Sequence, residues 1–444
     1  MKTLILNGIL VNEGQTQQAD LLIVNGRIHK IGKDLQSSEA DKVIDAAGKY
    51  VLPGMIDDQV HFREPGLTHK GGLQTESRAA VAGGITSFMD MPNVKPPTVT
   101  LKALEEKFAL AQGKCAANYA FYMGATNDNL DELRGLKNGV TCGIKIFMGA
   151  STGNMLVDNP VVLENIFAEV ETIVITHCED TPMIKRNEDL YRERYGDDIP
   201  YKYHHEIRSV DACYASTEKA VGLARKHGTR LHVLHLTSAK ELEFFSPGDV
   251  NDKQITLEVC AHHLFFSEED YDQRGAFIKC NPAIKKATDR EALIKAVAEG
   301  RIDIIATDHA PHTLEEKTGT YFKTAAGLPL VQYALPSILE KVQDKQLSLE
   351  KVVQVTSHNV ADRFRVIDRG YLREGYWADI TIVDMDKGIT DTPETVLYKC
   401  NWSPFDGFTF RSSIDTTIVN GEVVYQNGEL TDALTLGRRL DFRA

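Results

Sequence analysis

The chain alternates between two kinds of apolar pattern. Short runs rich in β-branched and aromatic residues recur at Met55–Phe62, Thr86–Met91, Ala117–Gly124, Gly143–Met148, Thr172–His177, Arg230–Leu236, Ile255–His262 and Asp303–Asp308. Their length and continuous apolar character read as buried strands. Helical spacing falls between them. Leu101–Leu110 and Thr288–Glu299 are two such stretches, and Val210, Cys213, Tyr214, Thr217, Ala220, Val221 and Ala224 keep the i, i+3, i+4, i+7 spacing of a third. Eight strands alternating with helices over about 300 residues predict a (β/α)₈ barrel of the TIM type. A doubly wound open sheet is the rival, but no Gly-rich dinucleotide loop supports it. The segment Thr181–Ser209 is too polar and too long for a tight strand-to-helix loop, and is expected to lie over the barrel mouth.

Both chain ends follow a different pattern. Thr3–Val11, Asp20–Val24, Arg27–Ile31 and the stretch from Val43 read as short strands, with Asn25-Gly26 as a hairpin turn. Ala378–Val383, Thr416–Val419 and Val423–Tyr425 repeat this near the other end, around Asn420-Gly421. The expected organisation is a small β domain formed by both ends, residues 1–52 and 370–444, around a barrel over 53–369.

Composition narrows the function. The 444 residues carry 42% apolar and 25% charged positions, ordinary for a globular chain, and a formal charge of −13. That acidity argues against nucleic acid or an anionic membrane as the main partner, while a local cationic cluster could still hold an anionic substrate. Seven scattered cysteines without a C-x-x-C spacing suggest buried thiols in a reducing compartment. No signal peptide or membrane span is evident, and a cytoplasmic location is expected.

Barrel enzymes place their chemistry where strands end at the mouth. The first predicted strand ends in Asp57-Asp58-Gln59-Val60-His61-Phe62-Arg63, and the second in Asp90-Met91-Pro92-Asn93. Lys145 lies on the fourth. His177-Cys178-Glu179, His235-Leu236-Thr237-Ser238 and Thr307-Asp308-His309 end the fifth, sixth and eighth. Three histidines and an aspartate on different strand ends have the chemistry of a metal site that leaves a position for water. Such a metal activates water and polarises an amide carbonyl, and a nearby aspartate can move the proton. His262-His263 is expected to end the seventh strand, where packing and site roles are both open.

At this point the sequence resembles the dihydroorotases, in the hydantoinase/dihydroorotase-like branch of the amidohydrolase superfamily. The resemblance rests on Leu52-Pro53-Gly54-Met55-Ile56-Asp57, Val60-His61-Phe62-Arg63-Glu64-Pro65-Gly66, Met91-Pro92-Asn93, Lys145 within Ile144–Gly149, His177, His235, and Ala306-Thr307-Asp308-His309-Ala310-Pro311-His312. It spans nearly the whole chain. It implies a zinc-dependent cyclic amide hydrolase, with His61, Lys145, His177, His235 and Asp308 as metal ligands, Lys145 carboxylated, and Asp308 also the general base. Arg63 and Asn93 would hold a substrate carboxylate. Asn281, His312 and the backbone at Ala325-Ala326-Gly327 would complete the pocket for a small anionic ring. A homo-oligomer is also implied.

Three positions depart from the family pattern. Gln59 stands where the first strand usually carries the first histidine of His-x-His, and an amide oxygen is a poor zinc ligand beside imidazole. The position served by Lys145, His177 and His235 keeps its ligands; the one served by Gln59, His61 and Asp308 is weakened, so one zinc ion is expected and a second is in question. Ala283 replaces a proline and Lys285 an arginine, which concerns substrate fit. The alternatives are a hydantoinase, dihydropyrimidinase or allantoinase, and a metal-poor non-catalytic homologue. Gly149-Ala150-Ser151-Thr152-Gly153 fits a serine-nucleophile motif, but the residues after it make a poor helix start.

Overall fold

The structure, a computed structural model, describes residues 2–37, 40–149, 155–433 and 435–444. Residues 150–154, which hold most of the candidate serine motif, lie outside them. Eight parallel strands form the barrel: β1 (Met55–Val60), β2 (Ile85–Asp90), β3 (Asn118–Phe121, resumed at Met123–Gly124), β4 (Ile144–Phe147), β5 (Val174–His177), β6 (Leu231–Val233), β7 (Ile255–Cys260) and β8 (Ile304–Ala306). Each pairs with the next in chain order. The ring closes where Val60 bridges His309 and the His61 N–H donates to the His309 carbonyl at 2.7 Å. Every strand overlaps an expected run, with β2 starting one residue early at Ile85. Most stop short at the C-terminal end, because the last residues leave the ladder and turn into the mouth. His262 and His263 are a correction of this kind: β7 ends at Cys260, and both histidines lie on a short helix, Ala261–Phe265.

Strand alternation divides the core. Met55, Phe88, Val174, Val233 and Val259 pack outward, against the surrounding helices. Ile56, Met89, Ala120, Ile175 and Ile304 belong to a separate inner cluster. Successive strand residues point to opposite faces. Ile144 and Ile146 are outward, so Lys145 between them points into the lumen, as do Asp58, His232 and Glu258 by the same count.

The helices Leu101–Ala111, Val210–His227 and Ala287–Ala298 fall where the spacing predicts. Thr100 and Ser209 cap two of them by accepting a backbone N–H three residues on. The Thr181–Ser209 segment is largely helical rather than irregular, with Thr181–Tyr195 followed by two single turns. It ties to the mouth loops through Tyr201 Oη, which donates to the Gly319 carbonyl, and His204 Nε2, 2.8 Å from the Cys280 carbonyl.

Both chain ends build one nine-stranded sheet. Its halves join where Tyr50–Pro53 pairs antiparallel with Ile380–Asp384, over a core that includes Ile5, Leu21, Val51, Ile380 and Ile418. Asn25 and Gly26, and likewise Asn420 and Gly421, all take positive φ between directly paired strand residues, as a two-residue hairpin turn of this hand requires. All seven cysteines are free and buried. Among the described residues no helix is long and apolar enough to cross a membrane.

Candidate metal centre

The strand ends bring the expected ligands together as two pairs of facing atoms. His177 Nδ1 lies 2.9 Å from His235 Nε2. On the other side of the His177 ring, Nε2 lies 2.8 Å from Glu179 Oε2. Burial pushes Glu179 up, but Arg208 and His177 outweigh it and hold its carboxyl well below the usual range. An ionised carboxylate only accepts, so His177 Nε2 carries the proton and Nδ1 presents a lone pair. Burial depresses both imidazoles below their ordinary range, which keeps them neutral as ligands must be. His235 Nδ1 is buried without a hydrogen-bond partner among the described residues.

Lys145 completes this half. It is 1% exposed, its Nζ lies 4.7 Å from the centre of the Phe147 ring, and among the described residues it has no hydrogen-bond or ion-pair partner. Burial pushes its amine down to about 8, against the pull of Asp308 and Glu258. Facing ring nitrogens beside a buried lysine without a polar partner among the described residues fit a metal ion with a carboxylated lysine as third ligand.

The second pair is His61 Nε2 and Asp308 Oδ1, 3.1 Å apart. His61 Nδ1 meets Asn93 Oδ1 at 2.8 Å, and Gln59 Nε2 donates to the same Asp308 oxygen at 2.9 Å. Burial would raise the Asp308 carboxyl, yet the His61 contact and the charges of His61, His262 and Lys145 hold it below its ordinary value.

Arg63 lies beside this pair. Its Nε donates to the Pro311 carbonyl at 3.1 Å, and one terminal nitrogen lies 3.2 Å from His312 Nε2. His312 Nδ1 faces Glu316 and Lys70, and burial pushes this imidazole down to about 3. Arg63 is buried, and burial lowers even its guanidinium to about 10; among the described residues no carboxylate lies within ion-pair distance of it. Asn281 Oδ1 is buried without a hydrogen-bond partner among the described residues, one residue from Pro282, whose carbonyl faces His263 Nε2. Gly327 takes φ +144°, and a Cβ there would meet the Ala310 carbonyl oxygen at 2.5 Å.

Sequence reasoning missed the layer beneath. Arg63, His235 and Asp308 all take positive φ, a conformation that non-glycine residues hold only when their surroundings enforce it. Buried carboxylates do so here. The His235 N–H donates to Glu258 Oε1 at 3.0 Å, while Asp57 receives the Thr307 N–H and hydroxyl just before Asp308. Burial pushes Glu258 and Asp57 each up to about 8. His232 Nε2 sits between Asp58 Oδ2 at 3.3 Å and Glu258 Oε2 at 3.4 Å. The sequence signal was available: a carboxylate inside an apolar strand run needs a buried partner. His262 is the other addition, 1% exposed and in contact with the Thr307 backbone beside Asp308.

Asp58, His232 and Glu258, and separately Cys260, His262 and His263, also bring potential ligand atoms within 4.8 Å of one another. The first group already shares the His232 ring between its carboxylates. In the second, burial holds the Cys260 thiol well above and the His263 imidazole well below their usual ranges.

The amidohydrolase family model matches residues 50–424. A dihydroorotase of Methanosarcina acetivorans is 34% identical, over 96% of this chain and 92% of its own length. An allantoinase of Solibacter usitatus is 33% identical, over 96% and 94%. The solved L-hydantoinase of Arthrobacter aurescens superposes with a TM-score of 0.92 at 27% identity, covering 99% of both chains. With a lumen lysine, strand-end histidines and aspartate on a closed barrel, the chain belongs to the amidohydrolase family.

Proposed function

We propose that this chain is a dihydroorotase, which interconverts N-carbamoyl-L-aspartate with L-dihydroorotate and water in pyrimidine synthesis. The observation that carries this reading is Arg63: a buried guanidinium without a carboxylate partner among the described residues, beside the His61–Asp308 pair. A ring that bears a carboxylate supplies the missing counter-charge, and a guanidinium fork matches its geometry. A neutral hydantoin, dihydropyrimidine or allantoin ring does not. Several archaeal dihydroorotases among the relatives support the same choice.

Residues 53–369 act as the catalytic barrel between the two halves of the β domain, in a cytoplasmic homo-oligomer. Lys145 as its carbamate, His177 and His235 would hold one zinc ion. When bound, the metal supplies the Lewis acidity that makes water a nucleophile near neutral pH and polarises the amide carbonyl. Asp308 takes the proton that the attacking water loses and delivers it to the ring nitrogen as the amide bond breaks. Arg63, held by Pro311 and His312, binds the substrate carboxylate together with Asn93. Asn281 and the Gly327 backbone face the ring.

The test is Arg63→Ala. KM for L-dihydroorotate should rise about 100-fold, the scale of a lost buried charge-assisted contact, with little change toward a neutral hydantoin. Equal KM values for L-dihydroorotate in the two enzymes would overturn the assignment.

A further inference from the structure

Gln59 is buried at the end of β1, two residues before His61, and is 1% exposed. Its Nε2 lies 2.9 Å from Asp308 Oδ1. The partner fixes the orientation of the amide, because a carboxylate oxygen accepts and the amide nitrogen is the donor. The amide oxygen, the atom by which a glutamine could ligate a metal, therefore faces the other way, 4.0 Å from Cys260 Sγ. Gln59 is also held by its backbone: its N–H approaches Asp57 Oδ1, and its carbonyl accepts the Thr307 hydroxyl. Thr307 precedes Asp308, so one residue braces both the backbone and the carboxylate of that aspartate.

We propose that Gln59 is the positioning residue for Asp308, and that its amide hydrogen bond takes the place of a second metal ion, so that the enzyme works with one. This rests on the reading of Lys145, His177 and His235 as the metal site. The physical case is a count of donors. Around the His61–Asp308 pair the first strand contributes an N–H where a ligand lone pair would be needed. A divalent cation there would face the positive end of the amide dipole. Its own strand ends would give it only His61 and Asp308, and even a shared Lys145 carbamate oxygen would bring the protein ligands to three of the four that zinc takes. The same N–H suits a carboxylate that acts as a free base, since it favours the ionised form and fixes which oxygen is presented.

The experiment is metal analysis of the full-length protein, loaded with zinc and freed of loosely held ions, alongside Gln59→His and the near-isosteric Gln59→Met. One zinc per chain in the wild type, rising toward two in Gln59→His, is the expected result. Two tightly held ions in the wild type overturn this proposal alone, and none overturns it together with the metal-site reading. For Gln59→Met the expected change is at least a tenfold loss of kcat with KM nearly unchanged, and an acid limb of the kcat profile displaced to higher pH. An unmoved pH profile with normal kcat overturns the positioning role. If Gln59→Met fails to fold, the wild-type zinc count decides.

Discussion

Glu179 Oε2 lies 2.8 Å from His177 Nε2, and this contact sets which nitrogen of the ring faces His235. Carboxylates placed behind metal-binding imidazoles raise their basicity and fix their orientation. Glu179→Gln should weaken zinc affinity about 10- to 100-fold, the usual cost of losing such a partner. Competition with a chromogenic chelator measures it directly. Unchanged affinity would show that the tautomer is set elsewhere.

Gly327 is the position where backbone and pocket meet. Its φ of +144° and the 2.5 Å approach of a Cβ to the Ala310 carbonyl both exclude a side chain. The Ala310 N–H donates to the carbonyl of the neighbouring Leu328 segment at 2.7 Å. Gly327→Ala should destabilise the protein by about 2 kcal/mol or more and should also raise KM, because relieving the clash moves the mouth loop near His312. Denaturant unfolding with steady-state kinetics tests both. Native-like stability would contradict the conformational argument.

Asp391 is fully buried, and the Ser403 and Tyr333 hydroxyls that approach its carboxylate do not offset that burial. Burial pushes its carboxyl up to about 6. The folded state therefore binds a proton more tightly than the unfolded chain. Asp391 costs nothing below the unfolded carboxylate range and destabilises progressively as pH rises to about 6, above which the penalty is constant. Asp391→Asn should match the wild type near pH 4 and exceed it at pH 7 by on the order of 2 kcal/mol. Parallel unfolding curves across that range check the sign. A variant less stable than the wild type at pH 7 would refute it.

Much of this architecture was legible in the sequence, for definable reasons. Barrel strands are buried on both faces, so they stand out as short continuous apolar runs. The Asn-Gly turns at Asn25 and Asn420 marked the end sheet because few other residues accept positive φ twice in succession. His177 and His235 stood out as strand-end histidines and Lys145 as a lysine inside an apolar strand, but the facing of the two rings came only from the structure. The supporting layer was not read. Glu258, Asp57 and His232 sit inside apolar runs, and their roles depend on which residues of distant strands lie opposite them. Nor could the sequence orient the Gln59 amide. Gln59 is a weak ligand on chemical grounds alone, but its service to Asp308 depends on a contact between residues 249 positions apart.

The central claim is that a carboxylate-bearing cyclic amide is the substrate of this metal centre. The most direct measurement is kcat/KM of the zinc-loaded protein for L-dihydroorotate against hydantoin, dihydrouracil and allantoin. The account predicts a preference for L-dihydroorotate of at least about 100-fold, matching the energy of one buried charge-assisted contact. Turnover of a neutral ring at an equal or higher rate, or no turnover of L-dihydroorotate by protein shown to contain zinc, would contradict it.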